Sequence, residues 1–388
     1  MSTLTSHTSH TSHTSHTSHK SQADLVSYSG DQASSLLAEG LNNSLRDQGH
    51  WVLDAQRRPI SAATLRSGVR AGWGTAGTID TDPQQRFEAL SAVPRAHVCQ
   101  SELMGLIEFE GSRDLARLKD RRGNVIIELK RPTYALFAAQ LQAVHQSSVG
   151  RPERYAEILP QVHPADAWWS SVLGLRPDRY RHTYEFLDAA LNLTVTVVYR
   201  FKQIFACPRP VEYSAAIQPL LMTPGHDSWP SGHSTESFLQ ARILATLSNP
   251  ALRSHWAGAA QQPAADPSAE MLLLRTARRI AQNREVAGLH FPVDSAAGCM
   301  LGDTLARFVM SYSASGADAI PIAAVTRRFD SDVVYGSPQG PVLPEVALDG
   351  LIAGLRTKTD AWTDPPPPPA PDQTYMQWLW SRAVAEWT

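Results

Sequence analysis

Residues 182–210 read HTYEFLDAALNLTVTVVYRFKQIFACPRP. Leu187, Leu191, Val195, Val198, Phe201 and Phe205 put apolar side chains on nearly every face of a helix. A helix with no polar face to turn to water is a buried one, so the stretch predicts a central helix inside a helical body. Pro208 should end it, because proline lacks the N–H of the next turn and its ring collides with the turn before. Near that end sits Lys202. A buried ammonium without a counter-charge is costly enough that it must neutralise or find an anion. The apolar run Phe186 to Phe201 is broken by Asp188, Asn192 and Arg200 and falls short of the roughly 20 residues that a bilayer requires, so no membrane span is expected.

Downstream, residues 231–237 read as loop running into helix, with Ser234, Thr235, Glu236 and Ser237 as capping groups before Phe238, Ile243 and Leu247. Asp266-Pro267 predicts a helix start, and the pattern continues through Met271, Leu274 and Ile280 to Gly288. Another helix follows Pro292 through Leu301, Leu305 and Val309. Upstream, residues 23–165 form a mostly helical N-terminal region with turns at Asp54–Arg57 and Asp120–Asn124, a short strand at Val125–Leu129 before Pro132, and a helix over Tyr134–His145. The catalytic bundle is placed at 166–320. Residues 1–22 carry five copies of Thr-Ser-His and are expected to be a disordered tail, whose His7, His10, His13, His16 and His19 could take up a metal adventitiously. A C-terminal extension, 321–388, holds five prolines at 365–369, a stiff spacer, and then Tyr375, Trp378, Trp380 and Trp387. So much aromatic surface should dock on the body or on a second subunit, so a homo-oligomer stays open.

Over 388 residues the formal net charge is −2, which gives no global attraction for nucleic acid or an anionic membrane surface. Cys99, Cys207 and Cys299 are odd in number and unrelated in spacing, so neither a disulfide framework nor a zinc site is indicated. With no basic n-region and apolar run at the start, the expected compartment is the cytoplasm. Lys202 is the sole lysine between Lys130 and Lys358 in an otherwise arginine-rich chain, which suits a point-charge role.

Three clusters supply the chemistry. Lys202 and Arg209 bracket the end of the central helix; Pro230-Ser231-Gly232-His233 lies where a loop enters a helix; Arg284, His290 and Asp294 close the set. An arginine fork grips two oxyanion oxygens, and a helix start presents N–H groups and a positive dipole end. Glycine at position 232 leaves room for an oxygen beside the main chain. If Pro292 is the first helical residue, Asp294 is the third, from which a carboxylate reaches back to His290, fixes its tautomer and frees the other ring nitrogen. His233 is placed as an acid or base, with an ordinary imidazole titrating between about pH 5 and 8.

In this order and spacing the clusters resemble the signature of the vanadium-dependent haloperoxidase and type-2 phosphatidic acid phosphatase superfamily, over roughly residues 180–312: lysine, six residues, Arg-Pro; Pro-Ser-Gly-His; arginine, five residues, histidine, three residues, aspartate. Asn283 departs from it, standing where the family more often has serine. The resemblance implies an all-α haloperoxidase/acid-phosphatase-like bundle in which Lys202, Arg209, Ser231, the Gly232 amide and Arg284 hold the oxyanion. It implies His290 as phosphate nucleophile or as metal ligand to vanadium, Asp294 as its orienting group, and His233 as acid or hydrogen-bond partner of the apical oxygen.

Two chemistries share that cradle, because vanadate mimics the phosphoryl-transfer transition state. A haloperoxidase would use vanadate as cofactor with hydrogen peroxide and halide as small-molecule substrates; a phosphatase would need no cofactor and take a phosphomonoester. Length, the lack of a span, and His226, seven residues before His233 where bromide-oxidising members carry a second histidine, favour the haloperoxidase. Trp229, in place of their tyrosine, does not. A non-catalytic phosphate-binding module would have no need of both histidines and Asp294.

Overall fold

The computed structural model describes residues 83–162, 165–256, 268–315, 327–335 and 374–388. The Thr-Ser-His tail, the Asp54 turn, Asp266-Pro267 and the five prolines lie outside them. Helix α1 (Pro83–Ala89) belongs to a unit of its own spanning residues 20–90. From residue 91 onward the described chain is mostly helical with one small sheet.

Helix α2 (Ala92–Met104) leads into the antiparallel strands β1 (Ile107–Gly111), β2 (Leu115–Asp120) and β3 (Val125–Lys130). The one strand expected in a mostly helical region is thus part of a meander. The alternation that marks β2 is short: Ala116, Leu118 and Asp120 face inward while Arg117 and Lys119 face out. Those outward cations pair across the strands, Arg117 with Glu128 at 2.6 Å and Lys119 with Glu110. The turn read at Asp120–Asn124 joins β2 to β3. The Asp120 carboxylate accepts the Arg122 and Asn124 amides at 2.9 and 2.8 Å, and Gly123 takes a φ of +84°.

The helices that follow are α3 (Tyr134–Ser147), α4 (Arg151–Ile158), α5 (Asp166–Leu173), α6 (Arg181–Phe205), α7 (Pro210–Tyr213), α8 (Gly232–Ser248), α9 (Pro250–Trp256), α10 (Ser268–Val286) and α11 (Pro292–Ser313). Strand β4 (Arg327–Asp330) then pairs parallel to β3, and α12 (Ser331–Tyr335) and α13 (Tyr375–Ala385) complete the described chain. Among the described residues no helix is long and apolar enough to cross a membrane, and all three cysteines are buried and free.

The central element expected from the sequence is α6, with Phe186, Phe201 and Phe205 fully buried; burial of each contributes about 1.5–3 kcal/mol. It stops two residues before Pro208, at Ala206, whose left-handed φ of 47° lets its N–H close on the Lys202 carbonyl. Helix α8 packs on α11, α10 and α6. Two glycines on α11 permit that closeness: a Cβ on Gly298 would stand 2.7 Å from the Ser231 carbonyl, and one on Gly302 would strike the Thr235 carbonyl. A buried charge cluster locks the same pair. Asp303 of α11 meets Arg242 of α8 at 2.6 Å, Arg307 at 2.6 Å and Arg327 at 3.0 Å. Burial opposes its ionisation, but the three guanidiniums outweigh that and hold the Asp303 carboxyl well below the usual range.

Helix α13 packs its Met376, Leu379 and Trp380 on α6 and α2, with Trp380 against Phe186 at 5.1 Å and Trp387 against Tyr180 at 4.6 Å. Just past it, the Glu386 carboxylate accepts the His182 and Thr183 amides at 2.7 and 2.8 Å and the Thr183 hydroxyl at 2.8 Å, capping α6 from 204 residues away. Glu386→Ala removes that cap and is expected to cost about 1–3 kcal/mol of unfolding free energy. Urea denaturation with an unchanged midpoint would show that solvent satisfies those amides equally well.

Candidate active site

Seven of the nine residues singled out from the sequence line one cavity of about 50 Å³: Lys202, Arg209, His226, Gly232, His233, Arg284 and His290. The elements explain why. Lys202 comes from the last turn of α6, Arg209 from the joint to α7, Gly232 and His233 from the first turn of α8, Arg284 from the last turn of α10, and His290 from just before α11. Gly288, at φ +78°, makes the turn between α10 and α11. Arg151 pins that turn to the preceding loop by donating to the Val286 and Gln218 carbonyls, both at 2.9 Å, and a Cβ on Gly288 would lie 2.9 Å from its guanidinium.

The two remaining residues sit behind the cavity wall. Pro292 opens α11 and Asp294 is its third residue, as expected. The Asp294 Oδ2 accepts the Phe291 amide at 2.9 Å and the Ser228 hydroxyl at 2.5 Å, and lies 2.9 Å from His290 Nδ1. Ser231, expected to touch the anion, caps α8: its hydroxyl accepts the Ser234 amide at 3.4 Å, and the residue is fully buried. This also moves the helix start, which was read at residues 234–237. Gly232 needs no relief from a clash, since a Cβ there would meet only Glu236 Oε1 at 3.6 Å and Val198 Cγ1 at 3.9 Å, both lining groups. A side chain at 232 would instead occupy the cavity itself.

The three cations are held by neutral oxygens. Lys202 Nζ donates to the Asp227 and Ser228 carbonyls at 2.7 and 2.6 Å, which leaves one of its three protons. Arg209 donates to the His226 carbonyl at 3.0 Å and the Leu289 carbonyl at 2.9 Å, and its Nη2 lies 3.2 Å from His226 Nδ1. Arg284 uses only Nη2, toward the Ile158 carbonyl at 2.8 Å and Gln161 Oε1 at 3.2 Å. Its Nε and Nη1 are buried with no partner among the described residues. Burial pulls Arg209 and Arg284 down to about 10, and burial together with Arg209 pulls Lys202 well below the ordinary ammonium value. A bound anion would reverse all three shifts.

The imidazoles are neutral for the same reason. Burial and then Arg284 lower His233 to about 3; burial, Lys202 and Arg209 lower His226 to about 3; burial, Arg209 and Lys202 hold His290 well below its ordinary value. The expectation that these histidines titrate between about pH 5 and 8 therefore fails for the anion-free protein, because it ignored the cations packed around them. His233 Nε2 donates to the Gln161 carbonyl at 3.0 Å, so its free lone pair is on Nδ1. With Nδ1 turned to Asp294, His290 keeps its lone pair on Nε2, 3.5 Å from Arg209 Nη1. Burial raises Asp294 to about 6 against the opposing Ser228 and Phe291 hydrogen bonds, so it is ionised at neutral pH.

Sequence reasoning passed over four residues here. Glu236 lines the cavity, and its signal was legible: three residues after His233 and four after Gly232 puts it on their face of α8. Tyr199, likewise three residues before Lys202, lines the cavity edge-on to His226 at 5.1 Å. Ser228 and Gln161 gave no signal. Gln161 touches both Arg284 and His233, and its Oε1 also accepts Asn283 Nδ2 at 2.9 Å. The Asn283 departure thus falls on the hydrogen bonds behind the cradle.

The family model described as PAP2 superfamily matches residues 186–315, from the first turns of α6 to the end of α11; that superfamily contains both vanadium haloperoxidases and type-2 phosphatidic acid phosphatases. No curated protein matches the chain.

The geometry separates the two arginines. Arg284 has open donors beside its one main-chain carbonyl partner, so Arg284→Ala should lower the ligand-free melting temperature less than Arg209→Ala does and lose most of the stabilisation produced by phosphate, about 2.7 kcal/mol at a hundredfold excess over Kd. Arg209→Ala strips donors from two carbonyls and should melt lower even without phosphate. Differential scanning fluorimetry that finds the two variants alike would contradict this division.

Proposed function

We propose that this PAP2-superfamily segment forms the site of a vanadium-dependent haloperoxidase, oxidising halide with hydrogen peroxide. The observation that carries the reading is His226, a third imidazole in the cavity, 3.2 Å from Arg209 and neutral at working pH. Phosphoester hydrolysis employs one nucleophile and one acid and gives it no task.

A tetrahedral oxyanion suits the donor set. Arg284 Nε and Nη1 are buried and unpaired, Lys202 has a proton to spare, and the positive end of α8 opens on the cavity at Gly232. Lys202, Arg209, Arg284 and the start of α8 would hold vanadate, with His290 Nε2 as the nitrogen available to bind it. Bound vanadate supplies a Lewis-acidic centre that activates hydrogen peroxide toward a halide. Asp294 keeps the proton of His290 on Nδ1, so that Nε2 presents its lone pair. His233, with Nε2 committed to Gln161, exchanges protons with the anion through Nδ1. Negative charge beside it raises its pKa from about 3 toward the working range. Val195, Val198 and Leu289 give the cavity an apolar flank that limits water.

The second reading is a phosphomonoesterase with His290 as nucleophile and His233 as general acid, for which the free lone pair on His290 Nε2 is equally suited. One preparation decides. Adding vanadate to apo-protein should confer bromide or iodide oxidation between about pH 5 and 8, excess phosphate should remove it, and His290→Ala should lower it by about 10–100-fold or more. His226→Ala should alter halide oxidation more than any phosphatase rate. Phosphomonoester hydrolysis that vanadate merely inhibits, with no halide oxidised, would establish the second reading.

A further inference from the structure

Glu236 reaches the cavity one helical turn beyond Gly232 and His233, and its carboxyl has no hydrogen-bond or ion-pair partner among the described residues. Around it the cavity wall presents Lys202 and Tyr199 from α6, Arg209 from the joint to α7, His226 from the following loop, Arg284 from α10, and His233 and His290. A carboxylate in that position repels the oxyanion that the rest of the wall attracts, whereas a carboxylic acid donates a hydrogen bond to it. We propose that Glu236 is a further anion-binding residue that works as the neutral acid, its hydroxyl donating to the bound oxyanion, so that binding takes up one proton from solvent.

The inference rests on the reading of the cavity as an oxyanion site and holds for vanadate and phosphate alike. Burial pushes the Glu236 carboxyl up to about 7, with Lys202 opposing, so the exchange between the two forms falls near neutrality. Anion affinity should then be flat in acid and fall toward tenfold per pH unit above about pH 7. The fold shows the same group without ligand. A carboxyl whose pKa rises on folding contributes most below its unfolded value and loses that contribution as pH rises through about 7. Wild type should therefore melt progressively lower than Glu236→Gln as the pH is raised.

The test is isothermal titration calorimetry with sulfate, whose charge is constant across the range, in pairs of buffers with different ionisation enthalpies. Wild type should bind sulfate roughly tenfold or more tighter at about pH 6 than at about pH 8.5 and take up close to one proton at the higher pH. Glu236→Gln, whose amide still donates, should lose most of that pH dependence and proton uptake and bind the tighter of the two proteins at the higher pH. Equal proton uptake and equal pH dependence in both proteins would overturn the role of Glu236 while leaving the oxyanion site intact. A wild type that binds neither sulfate, phosphate nor vanadate at any pH would overturn the oxyanion site, and this inference with it.

Discussion

Positive charge gathered without an ion pair to any carboxylate among the described residues is the constraint on which the rest of this structure depends. Lys202, Arg209 and Arg284 converge from three separate segments, and the partners that steady them are main-chain carbonyls at 158, 226, 227, 228 and 289. Carbonyl dipoles steady a cation without cancelling its field, so the cavity keeps an attraction that salt bridges would have quenched. The arrangement demands a well-fixed loop. The Leu220 amide bonds to the Ala287 carbonyl, the Ser228 amide to the Cys207 carbonyl and the Ser231 amide to the Asp294 carbonyl, which ties residues 220–231 to the turn after α10, the joint after α6 and the first turn of α11. Elsewhere in the bundle the opposite solution is used: the arginines around Asp303 are paired, and that cluster serves packing.

Much of this was legible in the sequence. The all-round apolar pattern of α6 predicted a buried helix, and Pro292 with Asp294 predicted a helix start that reaches back to His290, because both are local consequences of side-chain chemistry. What escaped was non-local. The partners of β3, the capping of α6 by Glu386 and the bridge of Gln161 between Arg284 and His233 join residues far apart in the chain, and no periodicity records such a meeting. The cap that Ser231 places on α8 also escaped. A serine at a helix start can cap the helix or face the ligand, and only the geometry of the first turn decides between them. The titration of the histidines was misjudged because an unperturbed pKa says nothing of three cations brought within reach by folding.

The superfamily segment does not stand alone in shaping its site. Gln161 and Arg151 lie before residue 186, yet one positions His233 and Arg284 and the other fixes the turn that delivers His290. Gln140 of α3 accepts the Val293 amide at 3.0 Å, and Phe137 packs on Phe291 at 4.9 Å, so the N-terminal portion also seats the helix start that carries Asp294. The chain before the matched segment is therefore part of the outer wall of the site, where members sharing one cradle can diverge.

The cap that Glu386 places on α6 has a consequence for synthesis. The helix that delivers Lys202 leaves the ribosome with its first amides bare, and the carboxylate that satisfies them is encoded 204 residues later. At about 5–20 residues per second that interval is about 10–40 s. During it, the apolar face of α6 that Trp380 will cover is open to solvent or to a chaperone. Closure of the start of α6 thus waits on a segment made long after the helix itself, while the residues of the anion site, 202–294, are already in place along the nascent chain.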